Sequence, residues 1–235
     1  MVAVTGIGVV SPHGDHHEAM FAALTRGESA IHEFTSDMPN AKPAAVASAA
    51  FQASDWFTPL QLAGVDRVSQ IAVAAAAQAM TDAGATGVYE PARIGIYVGC
   101  GMGGGTSLEA GYASGLRSGR VPPLTIPAFM PNAPASHIAM RLQATGPVLT
   151  YSVACASSAV ALGEAAKAIR HGEVDLAIAG GSEAVLVPGV VKAWQAMQTL
   201  SIFEPGQAAS SCRPFAAERS GFALGEGAAF LMLES

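Results

Sequence analysis

The sequence predicts an α/β fold with a mainly parallel five-stranded sheet covered by helices on both faces. Five apolar, β-branched runs read as strands: 2–10, 93–98, 147–153, 174–179 and 227–233. Segments with helical spacing separate most of them, and strands that alternate with helices build parallel pairs buried on both sides. Of the 235 residues, 51% are hydrophobic and 13% charged, so the chain has apolar surface to fill a core.

In order, Val2–Val10 is an apolar run with glycines at 6 and 8, ending at Ser11-Pro12. The polar turn His13–His17 leads into a helix that reaches about Arg26; its three clustered histidines read as a solvated helix entry, not a metal site. Residues 27–64 have no clear period and carry Pro39, Pro43 and Pro59, so they read as a long loop or short insertion. Asp66 then starts a helix whose apolar residues Val68, Ile71, Ala72, Ala75, Ala79 and Met80 follow helical spacing up to Gly84. It is alanine-rich on every side, which suits a helix buried between layers. The strand at 93–98 follows, then a helix at 106–118, a loop at 121–127 and a helix from Phe129 to Gln143. A short buried strand at 147–153 feeds a helix of small residues from Ala156 to His171. The strand at 174–179, a helical patch at 189–198, a loop at 203–222 and the strand at 227–233 complete the chain. The last two strands lack a long helix between them, which predicts one antiparallel edge.

Composition excludes several functions. The net charge of −6 and the absence of a basic run argue against nucleic acid. Nothing resembles a signal peptide or a membrane span, and three scattered cysteines are no disulfide framework. These features predict a cytoplasmic protein with no cofactor. Charged residues are about half as common as the usual ~25%. Much of the surface is therefore small or apolar, and a subunit interface is expected to cover part of it.

Cys155 is the residue the sequence singles out. It stands where a strand turns into a helix, beside N–H groups with no partner inside that helix. Those groups and the helix dipole favour negative charge, which suits a nucleophilic thiolate. Cys100 and Cys212 have no helix start and read as incidental. Gly99-Cys-Gly-Met-Gly-Gly104 matches the dinucleotide pattern G-x-G-x-x-G. It follows a later strand rather than the first, and no acidic residue closes a next strand. The glycines read instead as sites of close backbone packing that can line a pocket. Gly180-Gly-Ser-Glu-Ala184 approaches a serine-hydrolase elbow but lacks its final glycine.

Taken together, several stretches resemble the β-ketoacyl synthases, the condensing enzymes of fatty-acid and polyketide assembly. They are Val4-Thr-Gly-Ile-Gly-Val-Val-Ser-Pro-His-Gly14, Val153-Ala-Cys-Ala-Ser-Ser158, the segment His171–Ala184, and Arg213-Pro-Phe with Arg219–Ala228. The resemblance runs over nearly the whole chain. It implies a thiolase-like fold, with residues 1–235 as the N-terminal domain, half of a duplicated fold. It implies that Cys155 takes an acyl chain as a thioester from an acyl carrier protein. A malonyl-carrier thioester then decarboxylates, and its carbanion attacks the acyl group. The Cys155 N–H would be one oxyanion donor. Gly101, Met102 and Trp194 fall where the family lines its acyl pocket, so bulk at 102 and 194 should shorten the accepted chain. The family is dimeric, with the helix near 129–143 at the interface, as a homodimer or a ketosynthase-type heterodimer. An acidic carrier would dock on local cations, for which Arg67, Lys192 and Arg213 are candidates.

The family's second half carries two catalytic histidines, a lysine and a gating loop. None of the six histidines here stands in the family's contexts. The expectation is an N-terminal half of a longer synthase. The rival readings are a non-catalytic chain-length-type partner subunit, which typically lacks the cysteine, and a starter-type synthase or thiolase that uses coenzyme A thioesters.

Overall fold

The computed structural model describes residues 1–235. In chain order its elements are β1 (Ala3–Val10), α1 (His17–Thr25), β2 (His32–Phe34), β3 (Ala44–Ala47), α2 (Pro59–Leu62), α3 (Arg67–Asp82), β4 (Ile94–Gly99), α4 (Gly105–Ser118), α5 (Thr125–Phe129), α6 (Ala133–Leu142), β5 (Val148–Tyr151), α7 (Ser157–Arg170), β6 (Leu176–Glu183), α8 (Pro188–Ala196), β7 (Leu224–Gly225) and β8 (Gly227–Glu234). The fold is mixed α/β around a five-stranded sheet in the order β1-β8-β6-β4-β5.

The sheet is mixed by pairing. β4 pairs parallel with both β5 and β6, while β8 pairs antiparallel with both β1 and β6. The reversed strand is therefore β8, inside the sheet, and not an edge strand as the sequence suggested. The reason is the final connection: β8 follows β7 after one residue and re-enters from the loop side, without a crossover helix to keep it parallel.

Alternate residues of the strands feed two cores. Ile96, Val98, Leu176, Ile178, Phe230 and Met232 pack with α3 and α6. Tyr97, Ala177, Ala179 and Leu233 point the other way and pack with α7. Side chains alternate across a strand, so these cores lie on opposite faces of the sheet.

α3 owes its place to small residues. Asp66 caps it, accepting from the Val68 N–H at 3.1 Å. Alanines 72, 74, 75, 76 and 79 are fully buried. A Cβ at Gly8 would stand 1.8 Å from the Ala75 carbonyl oxygen, and one at Gly6 would stand 2.2 Å from that of Ala79. The two glycines of the first strand thus let α3 rest on backbone rather than on side chains.

Three sequence expectations need revision. Residues 27–64 are not plain loop: β2 and β3 pair antiparallel, and β3 takes β7 as a parallel partner to make a small second sheet. Strands this short carry no readable period, and the partner β7 lies far along the chain. The boundary expected near Phe129 is shifted: α5 (Thr125–Phe129) begins inside the expected loop at 121–127, and the helix expected from Phe129 to Gln143 starts only with α6 (Ala133–Leu142). Met130 precedes Pro131 and is extended, with φ −56° and ψ 136°, which breaks the run there. β5 is shorter than expected and is not buried. It is an edge strand with Val148 and Leu149 exposed.

Gly8→Ala should push α3 off β1, because the clash is with backbone that cannot rotate away. Overpacking of this kind costs about 3 kcal/mol. In a chain of this size that lowers the thermal midpoint by roughly 6 °C or more. Calorimetry showing an unchanged midpoint would contradict the close approach.

Candidate active site

Cys155 lies in the turn between β5 and α7. Ala154, just before it, has a left-handed φ of +50°, which costs a non-glycine residue on the order of 1 kcal/mol. Ser157 holds that turn closed. Its hydroxyl accepts from the Val153 N–H at 2.8 Å and donates to the Ala154 carbonyl at 2.7 Å. Cys155 is left exposed. The N–H groups of Cys155, Ser158 and Ala159 donate to no protein acceptor. The thiol therefore sits among free donors at the start of α7.

The start of α7 is seated on two glycines. Gly99 and Gly181 are partners in the parallel β4–β6 register. A Cβ at Gly99 would stand 2.3 Å from the Ser158 nitrogen, and one at Gly181 would stand 2.1 Å from the Ser158 hydroxyl oxygen. The Gly99–Gly104 motif is thus a packing device, as its sequence context suggested.

A cavity of about 810 Å³ opens beside Cys155, and Gly101, Met102, Glu183 and Trp194 help line it. Met102 and Trp194 also line a second cavity of about 490 Å³, whose further walls are mostly apolar: Leu108, Tyr112, Phe129, Val190, Ala193 and Met197. This second space lies between α4 and α8. The Glu109 carboxylate ties these helices by accepting from the Gly189 N–H at 2.8 Å. Trp194 meets Phe222, in the loop just before β7, edge-on with ring centres 5.5 Å apart. Cys155, Gly101, Met102 and Trp194, singled out from sequence, therefore share one site.

The three candidate cations do not share it. Arg67 donates to the buried Glu226 carboxylate at 2.9 Å and to the Ala49 carbonyl. Its charge is matched inside the fold by Glu226. Lys192 donates to the Pro39 carbonyl and Arg213 to the Ser210 carbonyl; neither has an acidic partner. Cys100 is buried in the core. Burial, helped by the charge of Glu183, pushes its thiol up to about 12, so it is no rival nucleophile.

Glu183 is the site residue that sequence reasoning passed over. It ends β6, and its Oε2 accepts from the N–H groups of Gly101 at 3.0 Å and Met102 at 3.1 Å. Burial raises its carboxyl above the ordinary range, against the pull of those N–H groups. The available signal was an acidic residue closing an otherwise apolar strand.

Comparison with known proteins gives the family. The family described as "Beta-ketoacyl synthase, N-terminal domain" matches residues 1–235. The chain is similar to nodulation protein E of Rhizobium sp. (strain N33), at 37% identity over 238 residues that cover 100% of this chain and 58% of that protein. It is similar to 3-oxoacyl-(acyl-carrier-protein) synthase 2 of Rhizobium meliloti (strain 1021), at 32% identity over 248 residues that cover 99% of this chain and 58% of that protein. Among solved structures it matches the ishigamide ketosynthase/chain length factor with a TM-score of 0.87 and 28% identity, over 100% of this chain and 58% of that one. The chain belongs to the β-ketoacyl synthase family. It spans 58% of the length of each of these relatives.

Ser157→Ala should loosen the turn that holds Cys155, since it leaves the Val153 N–H without its acceptor and removes one of the two donors to the Ala154 carbonyl, which keeps the Ser157 N–H. The loss is about 1–3 kcal/mol, read as a lower thermal midpoint. Ser158→Ala, whose hydroxyl has no hydrogen-bond partner, should change it little; equal effects of the two would remove Ser157 from this role.

Proposed function

We infer that Cys155 is the acyl-accepting nucleophile of a β-ketoacyl synthase. The Cys155 sulfur attacks the carbonyl carbon of an acyl thioester, and the carrier's thiol leaves. In the condensation that follows, a malonyl-carrier thioester loses carbon dioxide. The resulting carbanion attacks the acyl carbon, and the Cys155 thiolate departs. The observation that carries this reading is the position of an exposed thiol among unpartnered N–H groups, at one end of a cavity that continues into an apolar pocket.

The Cys155 N–H supplies one oxyanion donor to the tetrahedral intermediate, where negative charge develops on the former carbonyl oxygen. The acyl chain runs past Met102 and Trp194 into the space between α4 and α8, whose mostly apolar walls suit a hydrocarbon. Carbon–carbon bond formation also requires donors on the malonyl thioester carbonyl. The ionisable groups lining the cavity of Cys155, apart from the thiol, are the carboxylates Glu183 and Glu226. In the family that donor role belongs to histidines of the second half.

The acyl donor is an acyl carrier protein, the carrier that the similar Rhizobium meliloti synthase has in its name. Lys192 and Arg213 remain the cations proposed to receive it. A second subunit, a further copy or a ketosynthase-type partner, covers the region of α5, α6 and β5. Ile126, Met130 and Met140 stand exposed there, beside exposed Val148 and Leu149 on the sheet edge. No helix is long and apolar enough to cross a membrane, and a cytoplasmic setting is the proposal.

Incubation with acyl-carrier thioester should add the acyl mass to the protein, and Cys155→Ala should abolish the adduct. An adduct that persists in Cys155→Ala would overturn the assignment; loading by acyl-coenzyme A alone would favour a starter-type or thiolase-like enzyme. Met102→Trp should narrow the passage between the two cavities and reduce loading by long chains relative to short ones about tenfold or more. An unchanged ratio would exclude Met102 from the chain's path.

A further inference from the structure

We propose that Glu183 is a positioning residue that selects the acyl chain: by holding the Gly101 and Met102 amides it fixes the Met102 side chain between the cavity of Cys155 and the apolar pocket beyond. The selection rests on the reading that these cavities take an acyl chain.

Met102 stands at the junction of the two spaces and lines both. It is the one residue of the Gly99–Gly104 loop whose side chain faces open space, since Cys100 is turned into the core and the rest are glycines. Where Met102 stands therefore depends on where the loop backbone stands. That backbone is gripped from two sides. On one side, Gly104 donates to the Phe129 carbonyl at 3.0 Å, and Cβ atoms at Gly103 and Gly104 would stand 2.5 Å and 2.3 Å from carbonyl oxygens of α5. On the other side, the amides of Gly101 and Met102 have a single partner, Glu183 Oε2. A Cβ at Gly101 would stand 2.7 Å from that oxygen, so the glycine admits the carboxylate to the backbone.

Glu183 is poorly served by this arrangement. Its second oxygen, Oε1, is buried with no hydrogen-bond partner. Burial raises its carboxyl in the fold. A carboxyl raised in this way penalises the folded state above its folded value, and the penalty disappears only below the ordinary carboxylate range. A buried, half-satisfied carboxylate that works against stability at neutral pH marks a residue held for what it positions.

The test compares Glu183→Ala, Glu183→Gln and Gly101→Ala with the parent protein. Loading of Cys155 by a long and by a short acyl thioester is followed by intact mass, and protection of the Gly101 and Met102 amides by hydrogen exchange. Glu183→Ala should lose that protection and shift the long-to-short loading ratio about tenfold. Glu183→Gln keeps an oxygen that accepts both amides and should retain protection and ratio. Gly101→Ala reaches the same contact from the loop side and should behave like Glu183→Ala, which secures the test if that variant folds poorly. The proposal is overturned if protection and ratio survive in Glu183→Ala, or if Glu183→Gln changes as much as Glu183→Ala. A parent protein that loads neither thioester would overturn the acyl reading itself, and with it the selection. The anchoring of the loop then stands or falls on the exchange data alone.

Discussion

The close approach of the first turn of α7 to the ends of β4 and β6 is the constraint on which the site depends. Gly99 and Gly181 lie side by side in the sheet and leave no room for a Cβ under Ser158. The helix start can therefore sit on the sheet itself rather than on a layer of side chains. That seat puts Cys155 over the mouths of the loops that follow β4 and β6. Any side chain at these two positions would lift the turn, and with it the relation of the thiol to Met102 and Glu183. The same device recurs at the other end of the sheet, where Gly6 and Gly8 let α3 lie on β1. Small residues thus set the distances between layers, in keeping with close packing of backbone against backbone.

A chain with few charges uses several of its carboxylates as fasteners for backbone. Asp66 caps α3 and also accepts from the Ser107 N–H at the start of α4. Glu109 joins α4 to α8, Glu183 holds the loop after β4, and Glu226 accepts from Ala49 while paired with Arg67. Each joins segments distant in sequence, and Glu109, Glu183 and Glu226 line one or other of the two cavities. A carboxylate accepting from N–H groups forms a stronger bond than a neutral oxygen does. This suits loops that must hold position without regular structure.

The sequence disclosed what depends on local pattern. The five strands of the main sheet and the long helices were legible because period, glycine stops and caps lie within a few residues of each other. Cys155 was legible because a strand-to-helix turn is itself a local signal. What escaped depends on partners far along the chain. β3 finds β7 across the fold, and Arg67 finds Glu226 at a separation of 159 residues. Arg67 therefore looked like a free cation. Glu183 escaped for the same reason, since its use depends on β6 ending beside β4, a fact of register and not of composition. The interior place of β8 escaped because the order of strands in space leaves no trace in their periods.

β5, the strand that delivers Cys155, pairs with β4 alone and leaves its other side open. It is only four residues long. The turn that carries Cys155 therefore hangs from the least secured strand of the sheet. Opening of that edge needs few bonds to break, and such edges fluctuate well below the global unfolding free energy. A neighbouring chain that pairs with this edge would damp those fluctuations, tying the rigidity of the thiol's surroundings to the state of assembly.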